Sequence, residues 1–170
     1  MAPREIVVRD ALAADAAAIC RIYNEGIEDR VATLETELRT PAERAEWLAA
    51  RGPRHPVIVA TDTAPGERGP RGWASLNRFN PRPAYDHVAD LSVYVERASR
   101  GRGVGHVLLE ALVERARALG YHKLVLAAFP TNKPGLALYR RTGFTEVGVY
   151  REQGWLDGGW VDVVVMERLL

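Results

Sequence analysis

The feature that most constrains the fold is the run from Val88 to Gly120, in which a strand, a glycine-rich turn and a helix follow one another. Val88-Ala89-Asp90-Leu91-Ser92-Val93-Tyr94-Val95 alternates apolar with polar residues and is rich in β-branched side chains, the pattern of a strand. Val104, Val107, Leu108, Ala111, Leu112 and Leu119 then recur at helical spacing until Gly120 stops them. Between the two lies Arg100-Gly101-Arg102-Gly103-Val104-Gly105. A strand that leaves a Gly-rich turn as a helix points several backbone N–H groups, and the positive end of the helix dipole, at one spot. Such a spot binds phosphate. Arg100 and Arg102 add donors suited to a pyrophosphate. The same short pattern also serves as an ordinary strand-to-helix turn.

Two common phosphate loops fail on spacing. A Walker A loop needs Gly-Lys-Ser/Thr at the helix start, and here Gly105 is followed by His106-Val107. A dinucleotide fingerprint needs a third glycine three residues after Gly103, where His106 stands. Residues 123–129 read as a buried strand, and residues 132–144 as a short helix closed by Gly143. Upstream, residues 5–9 form a short strand. Asp15 caps a helix carrying Ile19, Ile22, Tyr23 and Ile27, and Thr40-Pro41 opens a second one. Residues 57–60 and 72–76 read as strands joined through a Pro/Gly-rich hairpin turn at residues 63–71, with closing strands at 150–151 and 160–166. This order predicts an α+β architecture, a mainly antiparallel sheet flanked by helices.

Length and charge narrow the partners. At 170 residues the chain is expected to form one domain over residues 1–170. A formal net charge of +1 favours neither a nucleic acid nor a membrane surface. No apolar run has membrane-spanning length and the N-terminus does not read as a signal peptide, so a soluble cytoplasmic protein is expected. The single cysteine, Cys20, excludes an internal disulfide and a cysteine-built metal site, and no metal is expected.

The string Arg-x-x-Gly-x-Gly resembles the pyrophosphate loop of the GNAT acetyltransferase superfamily. Asn132, the pair Leu138-Tyr139 and Gly143-Phe144 are similar to that superfamily's downstream set. The resemblance implies the GNAT acyltransferase fold and acetyl-CoA as cosubstrate. It implies donor contacts from Val93, Val95, Arg100, Gly101, Arg102, Gly103, Val104, Gly105, His106, Asn132 and Tyr139. Residues 82–95, with Arg82-Pro83-Ala84-Tyr85 and Asp90, resemble the phosphinothricin N-acetyltransferase branch. Residues 23–36 and 154–162 look closer to its arsinothricin relatives. Three departures stand out: Asp90 where the branch more often has Glu, Gly135 and Tyr139 where it tends to Ser and His, and Leu34 where an aromatic is usual.

On this resemblance the expected activity is acetylation of the α-amine of a small glutamate-like toxic amino acid, arsinothricin or phosphinothricin, with resistance as the outcome. Asp90 is the candidate base for the ammonium proton and Tyr139 the candidate acid for the departing thiolate. Backbone N–H groups around Leu91 and Val93 are candidates for stabilising the oxyanion. Arg78 and Arg82 are candidate partners for the acceptor's acidic groups, and Leu34, Tyr85 and Tyr94 candidate pocket walls. Each has a structural counterpart reading: an ion pair for Asp90, a half-buried helical aromatic for Tyr139, solvated loop arginines for Arg78 and Arg82. Methionine sulfoximine, another small amino acid, a peptide N-terminus, or a non-catalytic acetyl-CoA-binding module are the alternatives. The resemblance also implies a homodimer.

Overall fold

Local rules set the helix starts, though not always as the sequence suggests. The computed structural model describes residues 5–62 and 69–170. The chain runs β1 (Ile6–Asp10), α1 (Ala16–Glu28), α2 (Pro41–Ala49), β2 (Val57–Asp62), β3 (Gly72–Arg78), β4 (Val88–Val95), α3 (Val104–Ala118), β5 (Lys123–Ala128), α4 (Lys133–Arg141), β6 (Thr145–Leu156) and β7 (Gly159–Leu169). Thr40 caps α2 in a reciprocal box: its Oγ accepts from the Glu43 N–H at 3.2 Å, and the Glu43 carboxylate accepts from the Thr40 N–H at 2.7 Å. Asp15 precedes α1 but does not cap it. Its carboxylate accepts from the Leu12 N–H at 2.7 Å and pairs with Arg9 at 2.7 Å, which holds β1 against the helix start instead.

The seven strands form one sheet in the order β1-β2-β3-β4-β5-β7-β6. Only β4 and β5 run parallel, and α3 makes the crossover that a parallel pair requires. The other neighbours are antiparallel, as the sequence predicts. Most of the expected hairpin turn at residues 63–71 lies outside the described residues, while the strands on either side of it pair antiparallel from Val57↔Ser75 to Ala60↔Gly72.

Period-two alternation sends side chains to two cores. Ala74, Leu76, Ala89 and Leu91 pack under α3 with Leu108 and Leu112. On the opposite face Trp73 joins Ile19 and Ile22 of α1, with Trp47 of α2 and Tyr94 packed against them. Helices thus cover both faces, and apolar burial holds the sheet between them.

The sheet is continuous in order but not in pairing. β4 meets β5 only at Val88↔Lys123, Ala89↔Leu124 and Asp90↔Val125. Beyond Asp90, β4 stays paired with β3 as far as Val95, and β5 with β7 as far as Ala128. The two strands therefore part at Asp90 and leave a wedge-shaped opening inside the sheet.

Candidate active site

The opening is continuous with a cavity of about 970 Å³, lined by β4, the turn after it, the start of α3 and one side of α4. Gly103 sits just before α3 at φ +84°, a left-handed conformation that a side chain makes costly. With it the turn reverses tightly enough to aim the first N–H groups of α3, those of Val104, Gly105 and His106, outward without helical partners. Val93, Val95, Arg100, Gly101, Gly103, Gly105, His106, Asn132 and Tyr139 all line the cavity, and among the described residues no carboxylate does. Val104 turns its side chain into the core under α3, so only its backbone faces a ligand. Arg102 is exposed and stands outside the lining. Arg100 is already engaged: its guanidinium pairs with Asp29 of α1's end at 2.5 Å and its Nε donates to the Val95 carbonyl at 3.2 Å.

On the α4 side, Asn132 caps the helix, its Oδ1 accepting from the Gly135 N–H at 3.1 Å. A Cβ on Gly135 would lie 2.5 Å from the Asn132 side chain, so this cap geometry requires glycine there. A Cβ on Gly105 would meet Leu138 at 3.1 Å, which fixes how closely α3 approaches α4. Thr131 and Arg141 also line the cavity; nothing in the sequence pattern marks either one.

Asp90 stands where the strands part, and Tyr139 of α4 lines the cavity within electrostatic reach of it. Asp90 is partly buried; the Asn77 side chain donates to it at 3.4 Å and the Leu91 N–H bonds to it. Burial pushes its carboxyl up to about 6 against the lowering effect of those two donors. Burial also pushes the Tyr139 phenol up to about 12, and the Asp90 charge adds to the rise, which places the two groups within electrostatic reach. At neutral pH the first is a carboxylate and the second a phenol. The sheet also sets which backbone groups face the opening. The Glu96 N–H donates to the Arg71 carbonyl at 2.8 Å, so by alternation Tyr94, Ser92 and Asp90 direct their N–H groups to β3, Leu91 directs its own toward β5 at the last paired register, and Val93 and Val95 direct theirs into the opening. With the Leu91 N–H taken up beside Asp90 and the seam, the Val93 N–H is the first along β4 left facing the opening.

Tyr94 belongs to both core and cavity. Its ring stacks on Trp73 at 4.8 Å and meets Tyr23 edge-on at 5.1 Å, and it lines the cavity as well. Burial holds its phenol above the ordinary range. The other acceptor-side residues are dispersed. Arg78 and Tyr85 line a second cavity of about 490 Å³, together with Arg54, His55, Asp86 and His87. Arg82 is exposed, its backbone N–H held by Asn80 at 3.0 Å. Leu34 packs on the β6–β7 hairpin, where a Cβ on Gly154 would come within 2.6 Å of it. No group of three or more His, Cys, Asp or Glu suited to a metal occurs among the described residues.

The strand-parting geometry and the glycine turn agree with the family comparison, in which the model of the Acetyltransferase (GNAT) family matches residues 18–144. The chain belongs to the GNAT acetyltransferase family. It is similar to the L-methionine sulfoximine/L-methionine sulfone acetyltransferase of Pseudomonas paraeruginosa, with 37% identity over 94% of this chain and 92% of that protein. It is also similar to the phosphinothricin N-acetyltransferase of Streptomyces coelicolor, with 32% identity over 98% of this chain and 97% of that one. Among solved structures, a GNAT phosphinothricin acetyltransferase from Sinorhizobium meliloti in complex with acetyl-CoA superposes with a TM-score of 0.88 at 35% identity, covering 97% of this chain and 88% of that chain. The fold is the GNAT fold, the chain is an acetyltransferase, and its acetyl donor is acetyl-CoA. The cavity fits this donor on its own chemistry: free helix-terminal N–H groups and Arg100 and Arg141 suit the phosphates, and Val93, Val95 and Leu138 suit the pantetheine arm. Among the described residues no helix is long and apolar enough to cross a membrane.

Proposed function

We propose that this GNAT enzyme acetylates the α-amine of a small glutamate-like toxic amino acid, phosphinothricin or arsinothricin, and thereby confers resistance. The observation that carries the reading is the placing of Asp90 where β4 and β5 part, with Tyr139 of α4 lining the cavity within electrostatic reach of it. The acceptor arrives as an ammonium and must lose a proton before it can attack. Asp90 takes that proton, directly or through water, and with its carboxyl near 6 it remains a competent base at pH 7. The amine nitrogen then bonds to the thioester carbon, and the Val93 N–H stabilises the charge that develops on the carbonyl oxygen. The carbon–sulfur bond breaks, the Tyr139 phenol protonates the leaving thiolate, and the second proton, which the nitrogen sheds as the amide forms, returns to the phenolate through water. The donor-side roles of Val93, Val95, Arg100, Gly101, Gly103, Gly105, His106 and Asn132 form part of the same proposal, as does a wall of Tyr94 and Leu34 on the acceptor side.

The direct test is release of coenzyme A thiol from acetyl-CoA with a panel of amines: phosphinothricin, arsinothricin, methionine sulfoximine, glutamate and a short peptide. Turnover with the first two and none with glutamate is the expected result; turnover with the peptide alone overturns the reading. One observation favours a second reading, in which methionine sulfoximine is the better acceptor. Arg78 and Tyr85 line the second cavity and Arg82 faces solvent, so the donor cleft offers fewer cations to a second acidic group than the sequence suggests.

A homodimer is proposed from the same resemblance. It is supported by the exposed apolar row Val147, Val149, Tyr150, Trp155 and Trp160 on β6 and β7, and sedimentation analysis tests it. Action in the cytoplasm accords with a donor made inside the cell.

A further inference from the structure

Arg51 presents a physical puzzle. Its guanidinium is partly buried, has no carboxylate partner among the described residues, and lies over the Trp47 ring with 4.8 Å to the centroid. Burial and the nearby Arg44 charge both hold its pKa below the ordinary arginine value. A cation taken from water without a counter-ion is expensive unless its donors do something specific. Here they go to the carbonyls of His55 and Leu76 and to the Asn77 Oδ1, the last at 3.0 Å.

The Asn77 amide is the link. Its oxygen accepts from Arg51 and from the buried Ser75 hydroxyl, also at 3.0 Å. Its nitrogen donates to Ser92 Oγ at 3.1 Å and to the Asp90 carboxylate at 3.4 Å. A flipped amide would set its NH₂ against a guanidinium and its carbonyl oxygen against a carboxylate, so Arg51 fixes which end of Asn77 faces Asp90. Cross-strand register puts the two side chains on one face, Asn77 opposite Asp90 and Ser75 opposite Ser92. We propose that Arg51 is a positioning residue which, through Asn77, orients the Asp90 carboxylate and hydrogen-bonds it in its charged form.

The groups around Asp90 leave this chain as the adjustable one. From α4 the titratable neighbour is Tyr139; from β5 the register partner is the apolar Val125; along β4 lie Ser92 and Tyr94, with Tyr23 of α1 against Tyr94. The remaining donor, the Leu91 N–H, belongs to the backbone and no substitution removes it. The kinetic consequence of the proposal rests on Asp90 being the base; the structural consequence does not.

The test is a ¹³C titration of the aspartate carboxyls in the full-length protein, with Asp90→Asn identifying the resonance. The wild-type midpoint is expected near 6. Asn77→Ala raises it by about one pH unit and Arg51→Met by about half as much, because each removes or disorders a donor to the charged form. Arg51→Lys keeps a cation over Trp47 and gives a smaller rise of the same sign; it carries the test if the methionine variant does not fold. An Asp90 midpoint in the Arg51 variants equal to that of wild type overturns the proposal. In parallel, kcat/KM for phosphinothricin against pH is expected to show its acid limb moving up with the midpoint. If Asp90→Asn keeps full activity while the midpoints still shift, the assignment of Asp90 as base fails and the positioning role of Arg51 stands.

Discussion

On the proposed roles, the donor half and the acceptor half of this cleft are built from different materials. Around Gly101, Gly103 and the start of α3 the working groups are backbone amides, aimed by a left-handed turn and a helix axis. Around Asp90, Tyr94, Tyr139 and Asn77 they are side chains drawn from β3, β4 and α4, each oriented by another side chain. A backbone site tolerates loss of nearby side chains but not gain of a Cβ; a side-chain site behaves the opposite way. The two halves should therefore fail under opposite kinds of substitution.

The largest expected effect is on the acceptor half. Asp90→Asn lowers kcat/KM for the amine by about 10²- to 10⁴-fold, the usual worth of a general base, with KM for acetyl-CoA little changed. A loss confined to acetyl-CoA binding would put Asp90 in the wrong half. Tyr139→Phe lowers kcat by about ten- to a hundredfold, less because a thiolate is a good leaving group; the loss is read in steady-state thiol release. In the donor half Gly103→Val forces a β-branched residue to φ +84° and raises KM for acetyl-CoA about tenfold, roughly 1.4 kcal/mol. Arg102→Ala, an exposed side chain outside the cavity, shifts that KM by less than about twofold; a tenfold rise would show that side chains carry the donor half as well.

A stability measurement sharpens the same contrast. Burial lifts the Asp90 carboxyl to about 6 in the folded chain, so the folded state holds the proton more tightly than the unfolded one. The stability this contributes is present below the unfolded carboxyl value, about 4, and is lost as pH rises through about 6. Asp90→Asn is therefore expected to melt above wild type at about pH 8, with the gap closing at about pH 4. The charge on Asp90 is held at a cost to the fold.

The same division explains what was legible in the sequence. Backbone chemistry leaves a local trace: the strand, the Arg100–Gly105 turn and the apolar face of α3 can be read from one continuous stretch, and the structure builds them there. Asp90 and Tyr139 could be singled out because the segments that carry them resemble those of the family. The rest is assembled from afar. The ion pair of Arg100 joins it to Asp29, and Arg51 reaches Asn77 from the loop after α2. Neither spacing nor periodicity encodes such pairings. Arg78, Arg82 and Tyr85 show the converse. They stand close to Asp90 in sequence, yet the segment after β3 carries Arg78 and Tyr85 to a separate cavity and leaves Arg82 in solvent. Asp15 reads as a helix cap only while Arg9 is left out of account.

The limited seam between β4 and β5 has a mechanical side. One plate of four strands and another of three are joined by register only at Val88–Asp90 against Lys123–Val125, with α3 as the brace between them. Any small change in the angle between the plates behaves like the opening of scissors. The far end of the gap, beside the α3 terminus, moves most, and the pivot at Asp90 hardly moves at all.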